Sequence, residues 1–197
     1  MKKIFVIILF LLPFTLSAQT FFEDFDANSL KWNTYDGKDY FSVIQQSMLH
    51  LESREDAHDA MVTTYTDLDP KKPFELEIKL MKTKLNDEQR GIGLVFNYKD
   101  DFNYDVFYLM KGSVLYRKVI ENKIVRQRRG AVSYDTKIKD HTLTLKSTPN
   151  KFVFFVSGVE AMEIDYATLD YGGIGVRVWA EDGKQSADVD YIRYDQK

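Results

Sequence analysis

The chain has 197 residues, 44% of them hydrophobic and 29% charged, a composition typical of a globular protein with one sizeable core. Its net charge of −3 disfavours nucleic acid as a partner, because phosphate backbones attract basic surfaces. The sequence has no cysteine, which excludes disulfides, thiolate chemistry, cysteine-ligated zinc and a lipid-modified N-terminal cysteine.

The start of the chain has the pattern of a secretory signal peptide. Two lysines precede a short apolar run over 4–14, and Ser17 and Ala18 supply small residues before a cleavage point. An uncleaved N-terminal anchor is the alternative, but the run is short for a membrane span. We therefore expect residues 1–18 to be removed and residues 19–197 to form a single domain without a transmembrane span. The mature protein is then secreted, or held in a periplasm or cell envelope.

The rest of the chain alternates between short apolar runs and turn signals. Period-two alternation predicts half-buried strands, and clusters of Gly, Pro, Asn and Asp predict the turns between them. The predicted strands lie at 21–26, 40–44, 48–51, 60–65, 74–81, 91–97, 104–110, 113–120, 123–127, 142–146, 152–157, 159–164, 173–180 and 187–194. Because few helical periods occur, we predict an all-β protein, a sandwich of two antiparallel sheets.

The clearest run of strands spans residues 74–111. In its first strand, apolar residues such as Leu76 and Ile78 alternate with polar ones, so one face is apolar and the other wet. Its third strand, 104–110, is apolar and aromatic on both faces, which is expected of a central strand.

Several short motifs follow one another in a recognisable order. They comprise 22–26 with Leu30 and Trp32, then 74–77, 91–96, 103–104, 152–158, 172–176 and 188–192. Their order resembles that of the concanavalin A-like lectin/glucanase superfamily, which includes laminin G-like modules, and it covers nearly the whole mature chain. The resemblance implies a jelly-roll β-sandwich with one concave sheet. In that superfamily the concave sheet commonly carries the carbohydrate site.

The chain departs from the enzymes of this superfamily. Laminarinase-type members carry a Glu-x-Asp-x-x-Glu strand whose two glutamates flank the scissile bond. Here Glu75 and Glu77 lie on a suitable strand, but Lys79 and Leu80 stand where the motif would be completed. We therefore predict no catalytic residues and place Glu75 and Glu77 on the binding face of the concave sheet. The simpler alternative is a solvated cross-strand pair.

Aromatic and basic residues complete the predicted sugar site. Aromatic rings stack on the C–H faces of pyranose rings, while polar neighbours bond the hydroxyls. Besides the two glutamates, the predicted ligand-binding set contains Arg90, Tyr104, Tyr108, Arg117 and Trp179. The alternative is that many of the aromatics are core, because successive side chains of a strand point to opposite faces.

Carboxylates near the two ends of the chain are candidate metal ligands. Glu23 and Asp26 would meet Asp190 if the first and last strands pair, and oxygen ligands of this kind suit Ca²⁺. The resemblance supports this, because some superfamily members hold a structural calcium in this region. The alternative is a set of solvated turn carboxylates.

Three functions remain compatible with these features. The first is a secreted, non-catalytic module that binds carbohydrate or another extracellular ligand on its concave sheet. The second is a divergent glycoside hydrolase. The third is a structural or protein-interaction module of the cell envelope, with an extracellular protein as its partner.

Overall fold

The computed structural model describes residues 19–54, 59–69, 71–85, 88–134, 138–148, 150–165, 169–181 and 183–196. The predicted signal peptide lies outside these residues. Helices long and apolar enough to cross a membrane do not occur in the described part. Its strands are β1 (Gln19–Glu23), β2 (Tyr40–Gln45), β3 (Met48–Ser53), β4 (Asp59–Tyr65), β5 (Phe74–Met81), β6 (Arg90–Asp100), β7 (Asn103–Met110), β8 (Ser113–Ile120), β9 (Lys123–Ala131), β10 (His141–Thr148), β11 (Lys151–Val156), β12 (Val159–Asp165), β13 (Gly173–Ala180) and β14 (Ser186–Gln196).

These strands form two antiparallel sheets. The larger has eight strands in the order β12-β11-β10-β5-β14-β3-β2, with β1 paired to β14. The smaller has six strands in the order β4-β13-β6-β7-β8-β9. The prediction of an all-β sandwich is confirmed. The pairs β2–β3, β8–β9 and β10–β11 are antiparallel hairpins.

The main core lies between the two sheets and is built by the predicted alternation. Leu76, Ile78 and Leu80 of β5 are fully buried, as are Ile92 and Leu94 of β6. All five belong to one continuous hydrophobic cluster. Burial of such side chains is the main force that holds the sheets together, at roughly 25 cal/mol per Å² of apolar surface.

β5 lies in a different sheet from β6 and β7, so Glu75 and Glu77 do not share a face with the other predicted ligand-binding residues. β5 pairs with β10 and β14 in the eight-stranded sheet, whereas β6 and β7 belong to the six-stranded sheet. The physical reason lies in the outer faces of the strands. The outward residues of β5 include Glu75, Glu77 and Lys79, and burying these charged groups would cost free energy. The outward residues of β7 are instead apolar or aromatic and are buried.

A second hydrophobic cluster covers the outer face of the six-stranded sheet. We call this surface, formed by the outward side chains of β4, β13, β6, β7, β8 and β9, the groove face. No described strand packs over it, and long side chains such as Arg117 and Arg177 lie across its rings. Its buried members are Val95, Tyr98, Tyr104, Val106, Tyr108, Met110, Leu115 and Val119.

Arginines join the two sheets along one edge. Arg126 and Arg128 of β9 donate to the main-chain carbonyls of Asp165 and Glu163 at 2.8 and 2.6 Å. Both β9 and β12 are edge strands, so these bonds occupy carbonyl groups that would otherwise be open to strand addition.

One carboxylate is buried within the core-facing side of β7. Asp105 is fully buried and accepts hydrogen bonds from the Tyr116 hydroxyl at 2.6 Å and from Nδ2 of Asn97 at 2.7 Å. Asn97 lies in a β-bulge of β6, and its Oδ1 accepts from the main-chain amides of Asp170 and Tyr171. Asp105 therefore connects the bulge to the segment that leads into β13.

We expect Asp105→Asn to lower the free energy of unfolding by about 1–3 kcal/mol, because the new amide group would face donors where the carboxylate accepted. Urea unfolding measures the change. Tyr116→Phe removes only one of the donors and serves as the milder comparison, with an expected loss of about 1 kcal/mol. Equal stability of Asp105→Asn and wild type would show that the network does not hold the bulge.

Candidate functional site

The groove face is built around two positions that lack a side chain. Gly91 and Gly93 of β6 stand beside Tyr108 of β7, whose ring lies across the space above them. A Cβ atom at position 93 would come within 2.6 Å of Val106 Cγ2 and 2.8 Å of Tyr108 Cδ1. Glycine is therefore required at 93 for the packing of Tyr108, rather than for the approach of a ligand to the backbone.

Tyr108 supports two side chains that reach the surface. The Trp179 ring of β13 lies 6.2 Å from the Tyr108 ring, and both centroids lie close to the Arg117 guanidinium. The guanidinium carbon is 4.7 Å from the Trp179 centroid and 6.0 Å from that of Tyr108. A cation placed over aromatic rings at these distances is attracted by their π electrons. Arg117 is further held by Gln127, whose Oε1 accepts from Nε at 2.9 Å.

Two depressions adjoin on the groove face, with volumes of about 390 and 180 Å³. Arg117 and Trp179 line both of them and so form the ridge between them. Glu88, Arg129 and Glu181 contribute to the larger depression. The two depressions together make an open groove with an apolar floor and a polar rim, a combination that is common in ligand sites.

The smaller depression contains an ion pair. Arg177 of β13 is paired with Asp59 of β4, and its guanidinium carbon lies 5.0 Å from the centroid of the Tyr104 ring. Asp59 is the only carboxylate among the described residues that line this depression. The arginine neutralises it, so the pair contributes no free negative charge to the groove.

Two tyrosines of the groove face, Tyr108 and Tyr98, stay protonated at neutral pH. Burial raises the pKa of Tyr108 well above its ordinary value, and the nearby Arg117 opposes this only in part. Burial likewise raises the pKa of Tyr98 to about 12. These phenols therefore act as neutral rings and hydroxyl groups, not as bases.

The structure brings together four of the predicted ligand-binding residues, Tyr104, Tyr108, Arg117 and Trp179, on the groove face. Their exposure differs, however. Tyr104 and Tyr108 are 5% and 1% exposed and form the floor, whereas Arg117 and Trp179 are half-buried and reachable. Arg90 lines neither depression in the described part of the groove, and it donates instead to the main-chain carbonyl of Lys184.

Glu75 and Glu77 lie on the outer face of the eight-stranded sheet, away from the groove. Glu75 forms an ion pair with Lys146 on the neighbouring strand, with Nζ and Oε2 3.0 Å apart. This is the cross-strand pair predicted from the sequence as the alternative to a binding role. Glu77 accepts hydrogen bonds from Thr144 at 2.8 Å and from Tyr191 at 2.9 Å. Their own neighbours in the sheet thus satisfy both carboxylates.

The predicted metal ligands Glu23, Asp26 and Asp190 are not gathered into a metal site. No cluster of three or more His, Cys, Asp or Glu that could hold a metal occurs within the described ranges. The reason is that Glu23 is buried and bonded locally. Its Oε1 accepts from the amide of Phe25 at 3.1 Å and its Oε2 from that of Leu30 at 2.8 Å, so it fixes the turn after β1.

Several polar groove residues were not predicted from the sequence, among them Asp59, Glu88, Gln127, Arg129 and Glu181. Asp59 lies just before the predicted strand at 60–65, whereas in the structure it begins β4. Gln127 and Arg129 lie on an edge strand with no apolar alternation, and Glu181 follows the end of β13. The sequence carries no signal for Gln127, because only the bulge between Lys118 and Val119 brings it opposite Arg117.

No family model and no curated protein matches the chain. A lichenase, a prokaryotic β-1,3-1,4-glucanase from a mouse hindgut metagenome, is similar in structure, with a TM-score of 0.63 over 89% of this chain and 98% of its own, at 15% identity. The chain has the concanavalin A-like jelly-roll fold. The predicted resemblance is thus confirmed for the fold.

Two further structures share this concanavalin A-like fold. The Bacillus licheniformis β-glucanase has a TM-score of 0.62 at 13% identity, covering 89% of this chain and 97% of its own. The carbohydrate-binding module CBM66 from Bacillus subtilis has a TM-score of 0.54 at 13% identity, covering 81% and 91%. The fold thus occurs in a hydrolase and in a binding module, and it does not distinguish between them.

We expect Gly93→Ala to lower the free energy of unfolding by about 1–3 kcal/mol, because the added methyl group overlaps Val106 and Tyr108. Gly91→Ala is the matched control, since its Cβ would meet Tyr108 at 3.2 Å and requires a smaller shift. Urea unfolding followed by tryptophan fluorescence measures both. A control variant as destabilised as Gly93→Ala would contradict the proposed role of position 93.

Proposed function

We propose that the protein is a non-catalytic glycan-binding module that uses the groove face. The single observation that carries this proposal is the ridge of Trp179 and Arg117 between two adjoining depressions. An indole ring offers a flat apolar surface to the C–H groups of a sugar, and a guanidinium offers several donors to its oxygens. Charge and apolar contact thus occur at one accessible place.

The central strand of the groove supports a binding role rather than hydrolysis. The outward positions of β7 are Tyr104, Val106, Tyr108 and Met110, all of them buried. Glycoside hydrolysis by the usual route needs two carboxylates that flank the scissile bond. None of these four side chains supplies a carboxylate.

Similar structures support a carbohydrate ligand for this chain. One is described as a β-1,3-1,4-glucanase and another as a carbohydrate-binding module. We propose an extracellular or cell-envelope location on the strength of the signal-peptide pattern in residues 1–18.

We expect Trp179→Ala to weaken glycan binding by at least about tenfold, because loss of an aromatic anchor typically costs about 2 kcal/mol or more. A glycan array identifies the ligand, and calorimetric titration of the best glycan measures the change. Tyr191→Phe on the outer face of the eight-stranded sheet is the control and should bind as wild type. An array without any signal would reject the proposal and leave the protein-interaction role.

Hydrolysis is the second candidate, and one observation favours it. Glu88 and Glu181 line the same depression, so a pair of carboxylates does border the groove. We nevertheless expect no release of reducing ends from laminarin or lichenan, since both glutamates are exposed at the rim. Release that disappears in Glu181→Gln, but persists in Glu77→Gln, would establish the enzyme and overturn the non-catalytic proposal.

A further inference from the structure

Arg117 occupies the centre of the groove face in a fixed orientation. Its Nε donates to Oε1 of Gln127 at 2.9 Å, and its guanidinium lies over the rings of Trp179 and Tyr108. An arginine held on one side by an amide and on the other by two rings loses little further freedom when a ligand binds. The side chain is half-buried and therefore still accessible.

Within the described part of the chain, no carboxylate pairs with Arg117. The other groove arginine in the smaller depression, Arg177, is by contrast paired with Asp59. A guanidinium has five N–H donors, and the described residues engage only the Nε donor of Arg117. Its two terminal nitrogens are thus available to a ligand.

The charges around Arg117 differ between the two depressions. In the larger one, two arginines are balanced by Glu88 and Glu181, which disfavour an anion. Over both depressions the three arginines and three carboxylates balance, but in the smaller one Asp59 is already paired with Arg177, so the shared Arg117 faces no unpaired carboxylate on that side. An anionic group is therefore expected in the smaller depression.

The volume of the smaller depression and the net charge of the chain further restrict the class of ligand. The smaller depression has a volume of about 180 Å³, below the roughly 300–1,000 Å³ of pockets that enclose drug-sized ligands, so it suits a single sugar unit. The chain as a whole carries a net charge of −3. Polyanions are therefore not attracted by the overall charge, and any affinity for them has to arise locally.

We infer that the groove face recognises an acidic glycan, and that Arg117 binds the carboxylate or sulfate of one of its sugar units. A planar guanidinium binds either group through two parallel hydrogen bonds. The inference rests on the proposed function, because it specifies the ligand of the same groove. It adds that Arg117 determines specificity, whereas Trp179 supplies contact with any sugar.

The test compares charged polymers with neutral counterparts of the same backbone. Polygalacturonate is paired with its carboxyl-reduced form, and dextran sulfate with dextran, all titrated calorimetrically at fixed salt. We expect at least one charged polymer to bind about tenfold or more tightly than its counterpart, since hydrogen bonds to charged groups are strong. A preference within the polygalacturonate pair would identify a carboxylate as the bound group, and a preference within the dextran pair would identify a sulfate.

Three variants test whether Arg117 causes the preference for charged polymers. Arg117→Gln should bind the charged and neutral forms equally, and Arg117→Lys should retain the charge but lose part of the preference, because lysine cannot form the two parallel bonds. Lys71→Gln removes one positive charge from an exposed site outside the depressions and should leave the preference unchanged. Thermal melting checks that each variant is folded. If Arg117→Gln does not fold, the comparison of wild type with Arg117→Lys still tests the inference.

The outcomes separate this inference from the proposed function. Equal binding of charged and neutral polymers, or a preference that survives in Arg117→Gln, would overturn the inference and leave glycan binding intact. Binding to none of the four polymers, with an array positive for neutral glycans only, would also overturn it alone. A glycan array without any signal would overturn both the inference and the proposed glycan-binding function.

Discussion

The groove depends on the packing of one tyrosine against two glycines. Because Gly91 and Gly93 lack side chains, the Tyr108 ring can lie across β6 and become almost completely buried. The ring in turn supports Trp179 and Arg117, which form the ridge of the groove. A larger residue at position 93 would raise the ring and disturb every accessible contact of the site. The packing of this face and the proposed ligand contacts therefore depend on the same side chains.

The outer faces of the two sheets differ in polarity. On the eight-stranded sheet, cross-strand partners such as Glu75 and Lys146 satisfy one another in contact with water, and exposed pairs of this kind contribute little to stability. On the six-stranded sheet, apolar residues cover the outer face, and Arg117 and Arg177 lie across them. A guanidinium above aromatic rings is attracted by their π electrons, so this face combines apolar contact with charge. This contrast locates the candidate site on the six-stranded sheet.

The sequence predicts the strands well and their sheet assignment less well. Period-two alternation identifies β5 and β7, but sheet membership is decided by distant partners, and β5 pairs with strands more than sixty residues away. The wet outer face of β5 could have separated it from β7. The neighbour of Arg117 was not predictable, because a bulge in the β8–β9 hairpin shifts the register by one residue and brings Gln127 opposite it. Asp105 was hidden in an otherwise apolar strand, since its partners lie on other strands.

The central claim is that ligand binds on the groove face and not on the outer face of the eight-stranded sheet. Nuclear magnetic resonance of isotope-labelled protein during titration with a bound oligosaccharide tests it most directly. We expect the Trp179 indole N–H and the Arg117 Nε–H signals to shift in a saturable manner, while the amides of Glu77 and Tyr191 stay in place. Saturable shifts confined to Glu77, Tyr191 and their neighbours would contradict the claim and place the site on the opposite sheet.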